Sequence, residues 1–378
     1  MKIAVIGDSI ISYIFSIGIR KFSKKKAKIF LLIRKNKEKD ESKTIAISYK
    51  SYKRLVSLKI WNHIKKYSFP IKKIVFSYQN SVSFSYSHPD CIKIGYSINL
   101  KKFKNKLLKI TKKCSNIKII DFSNISKIKE KKNNIIFLKN KKKIKIDLVV
   151  YTEKNFFFDE SLLEIQKKKY FNKAYTFEVY VKNPNYYTSY EHFGDFGLMT
   201  LIPKKKFLYS LIWFKSIKYE KKNFSKKKNF LKIKKYTKPI LGKILRIKKN
   251  RCYTLNMHFT KNVFYNNSIF IGNAAQIFHP ICAQGFNLNL RDTYCIIKII
   301  SKIIKKNRSI KYIDLYQYTK YRNQERKKII NFVEILEKFF LSKSNSFIFL
   351  KKTVFLLIRK IKFLQKTFIK RIMYFLLK

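Results

Sequence analysis

The chain is 378 residues long, 46% hydrophobic, and carries a formal net charge of +66. That length and apolar content exclude wholesale disorder and suffice for two domains, or for one domain with a large insertion. A chain this basic would neutralise many phosphates if it bound nucleic acid. The excess is Lys rather than Arg, however, and it runs the whole length beside abundant Ile, Asn, Phe and Tyr and scarce Gly (8) and Pro (6). A coding sequence biased towards A and T enriches these residues together, so no nucleic-acid partner is expected. What the charge does predict is a self-repelling surface with affinity for anionic surfaces, lipid headgroups included. The five cysteines (Cys91, Cys114, Cys252, Cys282 and Cys295) are odd in number, widely spaced and free of Cys-x-x-Cys. Neither a disulfide framework nor a metal site is expected from them, and a reducing cytosol fits.

In chain order, the apolar run Lys2 to Ile6 ends at Gly7. Ser9 to Phe22 has apolar residues at helical spacing, and Lys28 to Ile33 is a second apolar run. Strand, turn, helix, strand is the opening of a dinucleotide fold. The start does not read as a signal peptide, because Asp8 interrupts it and no small-residue cleavage site follows. Ile71 to Tyr96 alternates as strands do, and Lys101 to Thr111 reads as a helix. Ile117 to Phe122, Asn134 to Lys139 and Lys145 to Tyr151 read as strands. Between Ala174 and Phe214, the segments Thr176 to Val181, Gly197 to Ile202 and Phe207 to Phe214 predict a separate antiparallel sheet. After Gly285 there is no Gly, and after Pro280 no Pro, so the C-terminal part should be helical. Its last stretch is amphipathic: Phe347, Leu350, Val354, Leu357, Ile361, Leu364, Phe368, Ile372 and Phe375 share one face, while Lys351, Lys352, Arg359, Lys362, Lys366 and Lys370 tend to others. Such a helix either packs on the body of the protein or lies on a membrane surface. No run of about eighteen uninterrupted apolar residues occurs, so no membrane span is expected.

Two motifs carry chemistry. Gly7-Asp8-Ser9-Ile10-Ile11-Ser12 stands where strand meets helix. A dinucleotide fold needs small residues there for a tight turn, for close approach of backbone to pyrophosphate, and for helix–strand packing. Here only Gly7 is glycine; Ser9 and Ser12 stand at the other two positions. The acid expected at the end of the second strand is absent, and Ile33-Arg34-Lys35 occupies that place. Glu38 or Asp40 is near enough in sequence to reach back. The second motif follows the strand Ser268 to Ile271: Gly272-Asn273, the small pair Ala274-Ala275, a loop stiffened by Pro280, and Gly285 opening an apolar helix. A helix N-terminus presents free amides and a positive dipole end, which stabilise an anionic group such as a reduced flavin ring.

This second segment resembles the second FAD-binding motif of the group A flavoprotein monooxygenases. Within them, Gly272-Asn273-Ala274-Ala275-Gln276, His279-Pro280 and Gln284-Gly285-Phe286-Asn287-Leu288 are most similar to the ubiquinone-biosynthesis hydroxylases acting on 2-polyprenyl-6-methoxyphenol. Lys43-Thr44-Ile45-Ala46-Ile47-Ser48 resembles a segment of that family that flanks FAD, with Lys43 in place of Arg. Trp61, Ile94-Gly95-Tyr96, Tyr190-Glu191-His192-Phe193, the run Gly197 to Pro203, and Leu211-Ile212-Trp213 follow in the family's order. The departures are Ser9 and Ser12 for glycines, the missing acid, Thr152-Glu153 in place of an Asp-Gly pair, and Ala283 for the first glycine of Gly-Gln-Gly.

The resemblance implies an α/β fold: an FAD/NAD(P)-binding Rossmann-like domain with an inserted antiparallel β-sheet substrate domain and a C-terminal helical segment. The implied boundaries are 1–70, 96–165 and 256–300 for the FAD-binding parts, 71–95 for strands leading towards the substrate domain, 166–255 for its sheet, and 301–378 for the helices. Gly7, Ser9, Ser12, Lys43, Gly272, Asn273, Ala274, Pro280, Gln284, Gly285, Phe286 and Asn287 are the expected cofactor-binding residues. Of these, Gly272 and Asn273 fall at the ribityl–phosphate region, and Pro280, Gln284, Gly285, Phe286 and Asn287 border the isoalloxazine ring. No catalytic side chain and no metal are called for, because the flavin carries the chemistry. The implied reaction is hydroxylation of a polyprenylated phenol with FAD, NAD(P)H and dioxygen. The implied place is cytoplasmic, peripheral to the inner face of the cytoplasmic membrane, with other quinone-biosynthesis proteins as partners. Two other classes stay open: a non-catalytic scaffold in a quinone-biosynthesis complex, and another FAD oxidoreductase on the same fold.

Overall fold

The computed structural model describes residues 1–34, 43–79, 82–87, 93–129, 134–154, 163–216, 226–278, 284–341 and 345–368. The opening is the expected β–α–β unit: strand β1 (Lys2–Ile6), helix α1 (Ile10–Phe22) and strand β2 (Lys28–Ile33). β1 and β2 are buried along nearly their whole length and read as continuous apolar runs, as parallel strands covered on both faces do. Around them forms a six-stranded sheet in the order β18-β19-β12-β1-β2-β8. Here β8 is Ile117–Asp121, β12 is Leu148–Tyr151, β18 is Phe264–Tyr265 and β19 is Ser268–Phe270. All its pairs are parallel except the hairpin β18–β19.

Beside the sheet lie two three-stranded units. One is β3 (Thr44–Ser48), β7 (Gly95–Asn99) and β4 (Ser68–Ile71); the other is β11 (Lys143–Ile146), β10 (Asn134–Leu138) and β9 (Ile125–Lys129). Helices α2 (Tyr49–Ser57), α3 (Trp61–Ile64) and α4 (Leu100–Lys112) connect them. Side chains cap two of these helices: Ser48 accepts from Ser51 N, and Asn99 from Lys102 N.

The second large element is an eight-stranded sheet, in the order β20-β17-β13-β16-β15-β14-β5-β6. Its strands are β5 (Lys73–Tyr78), β6 (Val82–Tyr86), β13 (Ile165–Val181), β14 (Thr188–Gly194), β15 (Gly197–Lys205), β16 (Leu208–Ser216), β17 (Ile244–Thr260) and β20 (Gln276–Ile277). It is antiparallel except for the β5–β14 pair, which is parallel. The antiparallel sheet expected between Ala174 and Phe214 is thus the middle of a larger one. The seventeen-residue strand β17 and helix α5 (Lys226–Leu241) were not legible beforehand. One face of the sheet is covered by α5, through Ile233 and Leu241, in a core with Phe177, Leu201 and Trp213.

Three helices close the chain: α6 (Gln284–Lys305), α7 (Tyr312–Leu341) and α8 (Asn345–Lys360). The structure corrects the expected face of the last one. Phe355 and Ile358 are buried against Phe76, Tyr78, Phe84 and Phe193 of the eight-stranded sheet, whereas Leu350, Leu357 and Ile361 are exposed. Lys351, assigned to a solvent face, is 1% exposed. Burial pushes its amine down, and Asp195 pulls it back. Val354, Leu364 and Phe368 do pack on that core. Lys370, Ile372 and Phe375 lie outside the described residues. The α/β fold with two sheets and C-terminal helices is otherwise the one expected.

Gly95 shows how tightly the β3–β7 pair is built. A Cβ placed there would stand 2.3 Å from the Ile47 carbonyl oxygen, so backbone would have to move. Gly95→Ala is expected to cost about 1–3 kcal/mol of stability in urea unfolding.

Candidate active site

Parallel strands β1 and β12 end together, with Ile6 opposite Tyr151. Their carboxyl ends are where an open α/β sheet places its ligands. A cavity of about 540 Å³ opens there, a size suited to a small-molecule ligand. Several parts of the chain line it. The start of α1 supplies Asp8 to Ile11, and Lys43 to Ala46 run along β3. The segment after β19 supplies Asn273, Gln276, Ile277 and Phe278, and α6 supplies Gly285, Phe286 and Asn289. The eight-stranded sheet contributes Ile202 and Ile212, so the cavity is bounded by both sheets.

Of the residues singled out in the sequence, Ser9, Lys43, Asn273, Gly285 and Phe286 line this cavity. Gly285 stands in the first turn of α6, and a Cβ there would meet no described residue within 4 Å. Gly7, Ser12, Gly272 and Ala274 form the frame behind. Gly7 has φ +129° and a Cβ would lie 2.3 Å from Thr152 Oγ1, so only glycine fits. Ser12 is fully buried and 2.7 Å from Thr152 Oγ1. Gly272 is pressed against the Thr152 carbonyl and Ile11, and Ala274 belongs to the core beneath. Asn287 braces the wall rather than lining it: its Oδ1 accepts from Ser48 N at 2.9 Å and its Nδ2 donates to the Ala46 carbonyl at 3.0 Å. Gln284 begins α6. Glu38, Asp40, His279, Pro280 and Ala283 lie outside the described residues.

Other lining residues were not anticipated. Arg34 at the end of β2, Lys104 of α4, Asp8 and Glu153 gather at the α1 end of the cavity. Lys104 Nζ is 3.1 Å from Asp8 Oδ2, a pair joined across 96 residues of sequence. Gln276 and Asn289 start a polar chain leading away from the cavity. Asn289 bonds Asn273 (3.3 Å) and Gln276 (3.0 Å), and Gln276 donates to Asp292 Oδ2 (2.7 Å). Behind it Arg322 Nε pairs with Asp292 at 2.8 Å, Arg291 pairs with Glu325 at 3.2 Å, and Arg326 donates to Gln276 Oε1 at 2.9 Å. The motif letters Gln276 and Asp292 were visible in the sequence; their partners on α7 were not.

Of FAD, the flavin half fits these residues: a free helix end, apolar neighbours in Ile202, Ile212 and Phe278, and a braced wall. The pyrophosphate half fits less well. Asp8 N is taken by the Glu153 carboxylate (2.9 Å), Ser9 N by Ser12 Oγ (3.1 Å) and Ser12 N by Ser9 Oγ (3.2 Å). At α1 the Ile10 and Ile11 amides are left, with no bond to any described residue.

Comparison with known proteins agrees with this geometry. Residues 163–333 match the family model described as FAD binding domain. An uncharacterized protein of Synechocystis sp. is 22% identical over 358 residues, which are 90% of this chain and 85% of that protein. The ubiquinone hydroxylase UbiM of Neisseria meningitidis is 23% identical over 242 residues, which are 62% of this chain and 51% of that protein. Among solved structures, HpxO of Klebsiella pneumoniae, complexed with FAD and uric acid, superposes with a TM-score of 0.73 at 10% identity, covering 96% of this chain and 93% of that one. The p-nitrophenol 4-monooxygenase PnpA of Pseudomonas putida gives 0.70 at 11% identity, covering 91% and 90%. The chain thus has the FAD-binding fold of the flavin-dependent monooxygenases, with a matched FAD binding domain.

Above the cavity, Glu191 and Thr200 sit on the sheet face that carries Ile202 and Ile212. Glu191 is buried and accepts from Thr200 Oγ1 at 2.7 Å. Burial pushes its carboxyl up to about 8, and the Thr200 bond only partly offsets this. A carboxyl raised on folding leaves the native state fully stabilised below its unfolded value near 4.5. Stability then falls as pH rises towards about 8. Glu191→Gln is expected to remove a decline of up to about 1.4 kcal/mol per pH unit across that window. Chemical denaturation of both proteins at several pH values measures the difference.

Proposed function

We propose that the chain is an FAD-dependent monooxygenase that hydroxylates the ring of a polyprenylated phenol in ubiquinone biosynthesis. The observation that carries this is the single cavity bounded by the first turn of α6, the start of α1 and the face of the eight-stranded sheet. The fold likeness and the partial similarity to a ubiquinone hydroxylase support it. When bound, FAD supplies the electron and oxygen chemistry. NAD(P)H gives two electrons; one atom of dioxygen enters the ring as hydroxyl and the other leaves as water. The chain's own residues bind, orient and exclude water. The Gly285 and Phe286 amides, at the positive end of α6, stabilise negative charge on the flavin ring. Ile202, Ile212 and Phe278 keep the reacting face apolar. Asn287 holds β3 and α6 at a fixed separation, so the cavity keeps its width.

A prenylated substrate resides in a bilayer, and the C-terminal helices suit work at its cytoplasmic face. Among the described residues no helix is long and apolar enough to cross a membrane. Phe349 (74% exposed) and Phe363 (73%) instead stand out from α8 and the helical stretch 362–368 that follows it, beside Lys352, Arg359, Lys360 and Lys362. Apolar anchors among cations are what binds an interfacial helix to anionic lipid. A second reading, a non-catalytic scaffold among other quinone-biosynthesis proteins, is favoured by the pre-bonded amides of α1.

Two outcomes are expected. With FAD, NAD(P)H and labelled dioxygen, one labelled atom should appear in the hydroxylated prenyl phenol; Gly285→Val, which fills the cavity without straining the helix, should weaken flavin binding at least about tenfold. NAD(P)H oxidation without labelled product would point to another FAD oxidoreductase. Separately, Phe349→Asp with Phe363→Asp should lower partition onto anionic vesicles about tenfold or more while leaving the unfolding midpoint unchanged. Sedimentation with vesicles measures this, and unchanged partition would remove the membrane role from α8.

A further inference from the structure

The two ends of the cavity are furnished differently. At the α6 end no described residue stands within 4 Å of a Cβ placed on Gly285. At the α1 end the groups that would greet a dinucleotide are already committed. Asp8 N donates to Glu153 Oε2 at 2.9 Å, and Ser9 and Ser12 bond each other's amides through their hydroxyls. Ser12 Oγ is held by Thr152 Oγ1 at 2.7 Å, and Thr152 Oγ1 donates to the Ile6 carbonyl at 2.9 Å, so the hydroxyl chain is closed inside the protein. Two carboxylates, Asp8 and Glu153, line the cavity where a second phosphate would pass, and Lys104 is paired with Asp8. At the end of β2, where a carboxylate normally accepts bonds from both ribose hydroxyls, stands Arg34, which has donors only.

Building on the flavin reading above, we propose that this site selects its ligand by the flavin ring and one phosphate, and that the adenosine half adds no selectivity. FMN and FAD are accepted alike. The Ile10 and Ile11 amides and Lys43 supply enough for one phosphate: two donors at a helix N-terminus and a cation on the same cavity. Among the described residues, the second half of a dinucleotide would meet amides and carboxylates already bonded to one another, and no carboxylate at the end of β2.

The test is a titration of the full chain, freed of flavin, with FAD and with FMN, following flavin fluorescence at fixed ionic strength. The dissociation constants should agree within about tenfold. FAD binding more than about tenfold tighter than FMN overturns the inference and leaves the flavin site standing. If neither saturates, the flavin reading itself fails and this inference with it. Arg34→Ala, on an exposed residue at a strand end, should leave the ratio of the two constants unchanged. A selective loss of FAD affinity in that variant would show that Arg34 reads the adenosine half and would overturn the proposal by a separate route.

Discussion

Asp292 lies on the buried side of α6, and two elements, α7 and β20, converge on it. Arg322 of α7 pairs with it at 2.8 Å, the Gln276 amide of β20 donates to it at 2.7 Å, and Arg326 of α7 stands at 3.9 Å while holding the other end of Gln276. Glu325 adds a second carboxylate for Arg291 and Arg322. Charges this deep are tolerable only as a set, because removing any one leaves the others uncompensated in a poorly solvated interior. The consequence is geometric. β20, α6 and α7 are locked together, and through Asn289 the lock reaches Asn273 at the cavity wall. The position of the α6 N-terminus relative to β3 follows from this knot on one side and from Asn287 on the other.

A rigid flavin end and a compromised nucleotide end are consistent with one history of the residues. Ser9 and Ser12 are small enough to leave the turn intact, yet their hydroxyls bond each other's amides, which glycine could not do. Glu153, standing after β12, reaches back to Asp8 N because β1 and β12 end in register. The departures from the family pattern are therefore mutually bonded and form a self-consistent cap. The same hydroxyls that close the cap satisfy buried groups, which is why it costs the fold little.

Much of the first domain could be read from the sequence because parallel strands are continuous apolar runs. β1, β2 and β8 stand within a residue of their expected places, and the strand at Ser268 and the helix that Gly285 was expected to open are both formed. β17 escaped notice because Lys and Arg interrupt its first half; only Leu255, Met257 and Phe259 alternate cleanly. The face of α8 was misjudged for a related reason. With Lys at so many positions, a Lys on a helix says little about solvent, and Lys351 is buried. In the site, Gly285, Phe286, Asn273 and Ser9, singled out by motif, and Lys43, singled out by resemblance, line the cavity. Ile33-Arg34-Lys35 marks the end of β2 as lacking its acid, but nothing local to it or to α4 shows that Asp8, Glu153 and Lys104 gather there. Nor does the sequence show that Asn287 turns towards β3, a choice made by the distant Ser48 amide.

Every role proposed for these residues depends on the cavity being a flavin site. The most direct check is the visible absorption spectrum of the full chain prepared with FAD and passed through gel filtration. Flavin bands that travel with the protein, shifted from those of free FAD by the apolar walls, are the predicted result. A folded protein that emerges without flavin after loading with FAD, and likewise with FMN, would contradict it.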